Sequence, residues 1–267
     1  MLKKRVVTIA NTLGVFLALL AFWQVALWVL RVPAYMLPSP AAVARAVVQR
    51  FPLLWDALLI TAAESAGGLA AAIVAGVSIA LIFAQFHWVR RTLYPYTLIV
   101  QTVPIIAIAP LILMWIGAGT VSVGVIAFII SVAPIIFNTT QGLISVDENL
   151  VHLFLMHNAT PAQILFRLRL PNAIPSLFVG IRIASGLAVI GAITGELYAG
   201  SSRVGQGGLG YTILYASSQL QTDYLFALVL AAIVLGFAFF GAVAFLEWHF
   251  LHEWHESARP PEVEAEA

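Results

Sequence analysis

Six stretches of mainly apolar residues, each near the length of about 20 residues that a helix needs to cross a bilayer, dominate this sequence. They cover approximately residues 11–30, 58–83, 93–115, 121–137, 174–197 and 224–246. No alternating pattern of short strand-like segments accompanies them, so a transmembrane β-barrel is excluded in favour of a helical bundle. The bulk composition agrees: 61% of the 267 residues are hydrophobic and 9% are charged. A soluble domain carries roughly 25% charge, because its exposed surface needs a polar cover. A soluble enzyme, a nucleic-acid binder and a disordered regulator are therefore poor readings, and a net charge of +1 provides no general attraction to nucleic acid. With no cysteine, the chain has no disulfides, thiolate metal sites or cysteine nucleophile.

Orientation follows from the basic residues. Placing the N-terminus in the cytoplasm puts Lys3, Lys4, Arg5, Arg90, Arg91, Arg167, Arg169 and Arg259 inside. Arg31, Arg45, Arg50 and Arg203 then lie outside, and Arg182 lies within the fifth span. The bias predicts both termini in the cytoplasm and an uncleaved first span. It divides the chain into an N-terminal segment 1–10, a six-span domain 11–250 and a disordered cytoplasmic tail 251–267. A glycine turn, Gly117-Ala-Gly119, separates the third and fourth spans. Outside, Ser39-Pro40 predicts the capped start of a short amphipathic helix over 41–51.

The connection between the fourth and fifth spans carries its own structure. Ser145-Val-Asp-Glu148 reads as a capping box that starts an apolar helix, which His157-Asn158 ends. Thr160-Pro161-Ala-Gln163 repeats the start signal, and this second helix is expected to stop at Leu170-Pro171. Two capped helices with apolar faces, on the cytoplasmic side, suit a docking knob.

At this loop the sequence resembles the permeases of ABC transporters. Their coupling loop reads Glu-Ala-Ala, three residues, Gly, nine residues, Ile-x-Leu-Pro. The same spacing holds here in His152-Leu153-Phe154, Asn158 and Leu168-Arg169-Leu170-Pro171, although Glu-Ala-Ala is absent and asparagine replaces the glycine. Leu37-Pro38-Ser39-Pro40, Val103-Pro104, Ala109-Pro110-Leu111, Gly195-Glu196 and Gly208-Leu209-Gly210-Tyr211 extend the likeness to the nitrate/sulfonate/taurine subfamily. The resemblance implies an all-α membrane protein of type I importer (MetI-like) architecture, with six transmembrane helices and a cytoplasmic coupling loop, 145–171, between spans four and five. It implies a bacterial inner-membrane permease that works with two ATPase subunits, an extracytoplasmic binding protein and a second permease copy, a homodimer being favoured over a paralogue. His152, Leu153, Phe154, Asn158, Ala159 and Arg167 would meet the ATPase.

No Gly-x-x-x-x-Gly-Lys-[Ser/Thr] occurs, and Lys3 and Lys4 are the only lysines. The chain thus has no P-loop, and ATP and magnesium would belong to a partner. Gly205-Gln-Gly207-Gly-Leu-Gly210 matches a dinucleotide fingerprint but follows a spanning helix rather than a strand. Gly205, Gly208, Gly210 and Tyr211 read better as an outer gate or a binding-protein contact. Polar residues within spans are costly and face a pathway or a neighbouring helix. Those candidates are Glu64, Gln101, Thr102, Pro104, Asn138, Thr194 and Glu196. Glu64 stands where relatives often carry arginine, which weakens the case for an anion and leaves the expected solute as either a nitrate-, sulfonate- or taurine-like anion or a neutral heterocycle such as a pyrimidine precursor. The histidines after Glu247 lack metal-site spacing, and no metal is expected. An ion-coupled secondary transporter is the alternative, with Glu64 as its coupling residue, and an intramembrane enzyme finds no motif to support it.

Overall fold

The computed structural model describes residues 2–199 and 207–251, and every regular element in that range is helical. Helix α1 (Leu2–Leu30) leads to the short α2 (Pro40–Gln49), then α3 (Phe51–Gln85), α4 (His87–Thr102) and α5 (Ile105–Ile116). After these come α6 (Thr120–Ile144), α7 (Glu148–Met156), α8 (Pro161–Ile164), α9 (Leu170–Ala199), α10 (Leu209–Ser218) and α11 (Thr222–Leu251). Among the described residues, four helices are long and apolar enough to cross a membrane, or five if the bent α4–α5 pair forms one span. The described apolar part of α1, Ala18–Leu30, is shorter.

Helix α6 is the central element, packed between α3 and α9. Small residues set these approaches. A Cβ on Gly68 of α3 would lie 2.6 Å from that of Ala127, and one on Gly191 of α9 would lie 2.8 Å from the Ala127 Cα. Leu69, Ala72, Val132, Ile135, Ala184 and Ala188 fill the space among the three helices. Arg182 of α9 forms an ion pair with Glu247 of α11 and lies over the Phe240 ring.

Several boundaries differ from the sequence-based expectation for identifiable reasons. Residues 2–10 are helical and continuous with the rest of α1. The second long helix begins at Phe51, directly after α2, so residues up to Asp56 are helical. Ser39 does cap α2, its side chain accepting from the Ala42 amide at 3.2 Å. The third apolar stretch is not one rod: it breaks at Val103-Pro104, where α4 and α5 meet at 97°. Proline disfavours helical backbone at the residue before it, and Val103 is accordingly extended. The turn into α6 holds Gly117 at φ 99° and Gly119 at φ 144°, conformations open chiefly to glycine.

Between α6 and α9, Asp147 rather than Ser145 caps α7, accepting from the Asn149 amide at 2.8 Å. Ser145 instead ends α6, and its hydroxyl donates to the Gly142 carbonyl. Asn158 closes α7 with φ 54°, and Thr160 with Gln163 forms the expected capping box. The chain does not stop at Leu170-Pro171. A π-helical turn, Leu165–Arg169, joins α8 to α9 without interruption. Its wider i→i−5 bonds accommodate Pro171, which lacks an amide and would crowd a regular α-turn.

Candidate functional site

The α4–α5 break opens a cavity of about 560 Å³ against the middle of α6 and α9. Val100 and Gln101 line it from α4, and Val103 and Ile105 from the bend. Ile129, Ile130, Pro134, Phe137 and Asn138 contribute from α6, and Ile183 and Leu187 from α9. None of these side chains is charged. Proline has no amide hydrogen, so Pro104 makes no helix bond to the Val100 carbonyl and Pro134 none to that of Ile130. Asn138 Nδ2 donates to the Pro134 carbonyl at 2.8 Å, which fixes the orientation of its amide. Phe137 stacks on Tyr94 with ring centroids 6.0 Å apart, and Gln141 Nε2 donates to the Tyr94 hydroxyl at 3.0 Å. The result is an apolar chamber with a few neutral hydrogen-bonding groups and an aromatic side.

Of the residues expected along a pathway, Gln101 and Asn138 share this chamber, and Pro104 creates the bend that opens it. Thr102 and Thr194 do not join them. Each hydroxyl donates to a carbonyl of its own helix, Ile99 and Ile190 respectively.

Glu64 and Glu196 belong to a second cluster, which joins α3, α9 and α10. The Thr61 hydroxyl donates to Glu196 Oε1 at 2.6 Å and accepts from the Leu209 amide at 2.8 Å. Glu196 Oε2 accepts from the Gly210 amide at 2.6 Å. Thr61 and Glu196 thus satisfy the first two amides of α10, which have no partner within their own helix. An acidic group is also favoured at this positive helix end. The glycines of the sequence motif acquire a reason here: a Cβ on Gly208 or Gly210 would run into the Glu196 side chain, and one on Gly210 also into the Ile193 carbonyl. Glu64, itself 8% exposed, neighbours Glu196 and borders an apolar groove between α3 and α6. Tyr211 stacks on Tyr215 within α10. Gly205 lies outside the described residues, as do the histidines beyond Leu251 and the tail 252–267.

In the loop between α6 and α9, Leu153, Phe154, His157, Ala159, Gln163 and Arg167 surround a hollow of about 290 Å³. Four of the six expected docking residues therefore share one surface. His152 is exposed on α7, and Asn158 forms the turn. Helix α7 buries none of its residues, leaving Leu150, Leu153, Leu155 and Met156 uncovered. The base of this loop is firmly held. Arg169 Nη1 donates to the Ala84 carbonyl at 2.8 Å, and Asn172 Nδ2 donates to the Gly142 carbonyl at 3.1 Å. Sequence reasoning did not single out Thr61–Glu196, Arg182–Glu247 or Arg169–Ala84 as pairs, since their partners lie far apart along the chain.

A multi-pass helical bundle with an uncharged central chamber and a capped apolar loop at one end defines a membrane transport subunit. Its family is explicit in the sequence: the model for the inner-membrane component of binding-protein-dependent transport systems matches residues 72–250, and the chain belongs to that family. It is 34% identical to a formylaminopyrimidine transport permease protein of Halalkalibacterium halodurans, over 90% of this chain and 94% of that one. It is 32% identical to a riboflavin transport system permease protein of Chloroflexus aurantiacus, over 90% and 88% respectively. A chain of the inward-facing MetNI methionine ABC transporter shares the fold, with a TM-score of 0.58 and 19% identity, covering 80% of this chain and 99% of that chain. The chain is thus the permease subunit of an ABC importer, a multi-pass membrane component whose relatives are transport permeases rather than enzymes.

Proposed function

We propose that two copies of this chain form a pathway for a small neutral heterocycle, with the chamber beside Gln101 and Asn138 as its narrow part. The carrying observation is the chemistry of that chamber: the amide side chains of Gln101 and Asn138, the Phe137 ring and no charge. Such groups recognise the hydrogen-bonding edge and flat face of a heterocycle and give an anion no counter-charge. The names of the two similar permeases, for a formylaminopyrimidine and for riboflavin, support this class over a sulfonate or nitrate.

In this reading all six apolar segments span the membrane and both termini are cytoplasmic. The loop 145–171 then meets an ATP-hydrolysing partner, which carries the ATP and magnesium. The exposed apolar face of α7, with the hollow beside Phe154 and Arg167, supports that docking, since uncovered apolar patches of this kind mark protein contacts. A binding protein would deliver the solute at the outer face near α10. ATP binding draws the two loops together and biases a two-state bundle, and hydrolysis returns it. Uptake into proteoliposomes holding the whole transporter tests the substrate class. ATP-dependent accumulation of labelled formylaminopyrimidine, without accumulation of taurine, is the expected result. The reverse preference would refute it.

A further inference from the structure

We infer that Arg169 and Thr61 are positioning residues that tie the cytoplasmic loop and the outer helix α10 to two well-separated points on α3, so that movement of the loop is delivered to α10. This rests on the reading that loop 145–171 docks the ATPase.

At the cytoplasmic end, Ala84 is in the last turn of α3, where carbonyls lack partners within the helix. The Arg169 guanidinium donates to one of them at 2.8 Å, and a cation at this negative helix end is favoured. Arg169 is the last residue of the π-helical turn, so the tie sits where the loop becomes α9. Ala80, Ala84, Leu143, Leu165 and Ala173 pack around it in one buried cluster. Earlier in the same helix, Thr61 receives the Leu209 amide and donates to Glu196. About 35 Å separates residues 61 and 84 along the axis of a continuous helix. Between them α3 has little freedom against α6: a Cβ on Gly76 would lie 2.8 Å from Ile135 Cγ2. A rod packed this closely moves as a body rather than bending, and both polar ties are buried or partly buried, where exchange with water is poor.

The test exploits the absence of cysteine. A single Ser217→Cys, on an exposed position of α10, reports maleimide labelling in the assembled transporter. With ATP and vanadate the labelling rate should change about fivefold or more, the lower range of typical allosteric coupling. Thr61→Val and Arg169→Met should each abolish that change while the ATPase still co-purifies. The double variant should do no more than either single one, and Arg169→Lys should restore part of the response. Three results overturn the inference alone: a response that survives in the single variants, effects that multiply in the double variant, or loss of ATPase recovery with Arg169→Met. Failure of the unaltered chain to recover any ATPase overturns the docking reading, and this inference with it.

Discussion

Replacing Gly210 by alanine isolates the packing of α10 against Glu196. In an ordinary helix this change is favourable, because alanine exceeds glycine in helix propensity by roughly 1 kcal/mol. Here the new methyl would lie 2.9 Å from the Glu196 Cβ and closer still to the Ile193 carbonyl. The carbonyl is backbone and cannot rotate away, so α10 must shift. Overpacking of this kind costs about 1–3 kcal/mol. Displacing the two amides of Leu209 and Gly210 from Thr61 and Glu196 adds roughly 0.5–2 kcal/mol, the range for loss of a helix cap. Less the propensity gain, the net expectation is a destabilisation of about 0.5–4 kcal/mol, equivalent to a fall in Tm of roughly 1–16 °C. Gly67→Ala is the matched control, since a Cβ there meets nothing within 4 Å. Thermal unfolding of both variants in the same detergent, followed by tryptophan fluorescence, should show a fall for Gly210→Ala and little change or a slight rise for Gly67→Ala. Equal Tm values would refute the reasoning that Glu196 and Ile193 leave α10 no room.

The same physics makes other outcomes testable. Arg182→Met should lower the yield of folded protein by leaving Glu247 unpaired in the bundle, and the double variant Arg182→Met/Glu247→Leu should recover it, as read by size-exclusion chromatography. Asn158→Gly should preserve or slightly raise stability because φ is 54°, whereas Asn158→Val should cost about 1 kcal/mol or more, measured by the same melting assay. Asn138→Leu should reduce heterocycle transport roughly tenfold or more while leaving insertion intact, because it removes a neutral hydrogen-bonding group from the chamber. Phe154→Asp should weaken ATPase co-purification without altering membrane insertion, since it places a charge at the hollow of the loop.

How far the structure can be read from sequence depends on the range of the interaction. Apolar runs and local caps are short-range signals, so the long helices, the Ser39 start of α2 and the Thr160–Gln163 box were all legible. Ser145 misled because it stands three residues before Glu148, the spacing of a capping box. Its hydroxyl turns back to Gly142, and Asp147 stands nearer the amide that needs capping. Pro171 read as a stop because a π-helical turn, which has no compositional signature, carries the helix past it. The break at Pro104 was visible as a proline within a span, but its 97° angle depends on how α5 packs on α6 and α9. Within the site, Gln101 and Asn138 were legible as polar residues in apolar runs. The partition of the candidates was not. Glu196 is 135 positions from Thr61, and only folding reveals that it caps α10 rather than facing the chamber.

The central claim is that this permease opens its heterocycle pathway with energy supplied through the loop 145–171. The most direct measurement is uptake of labelled formylaminopyrimidine by proteoliposomes with and without the ATPase subunit, each in the presence and absence of a proton gradient. The account predicts uptake that requires the ATPase and ATP and is indifferent to the gradient. Uptake that persists without the ATPase and collapses with the gradient would contradict it.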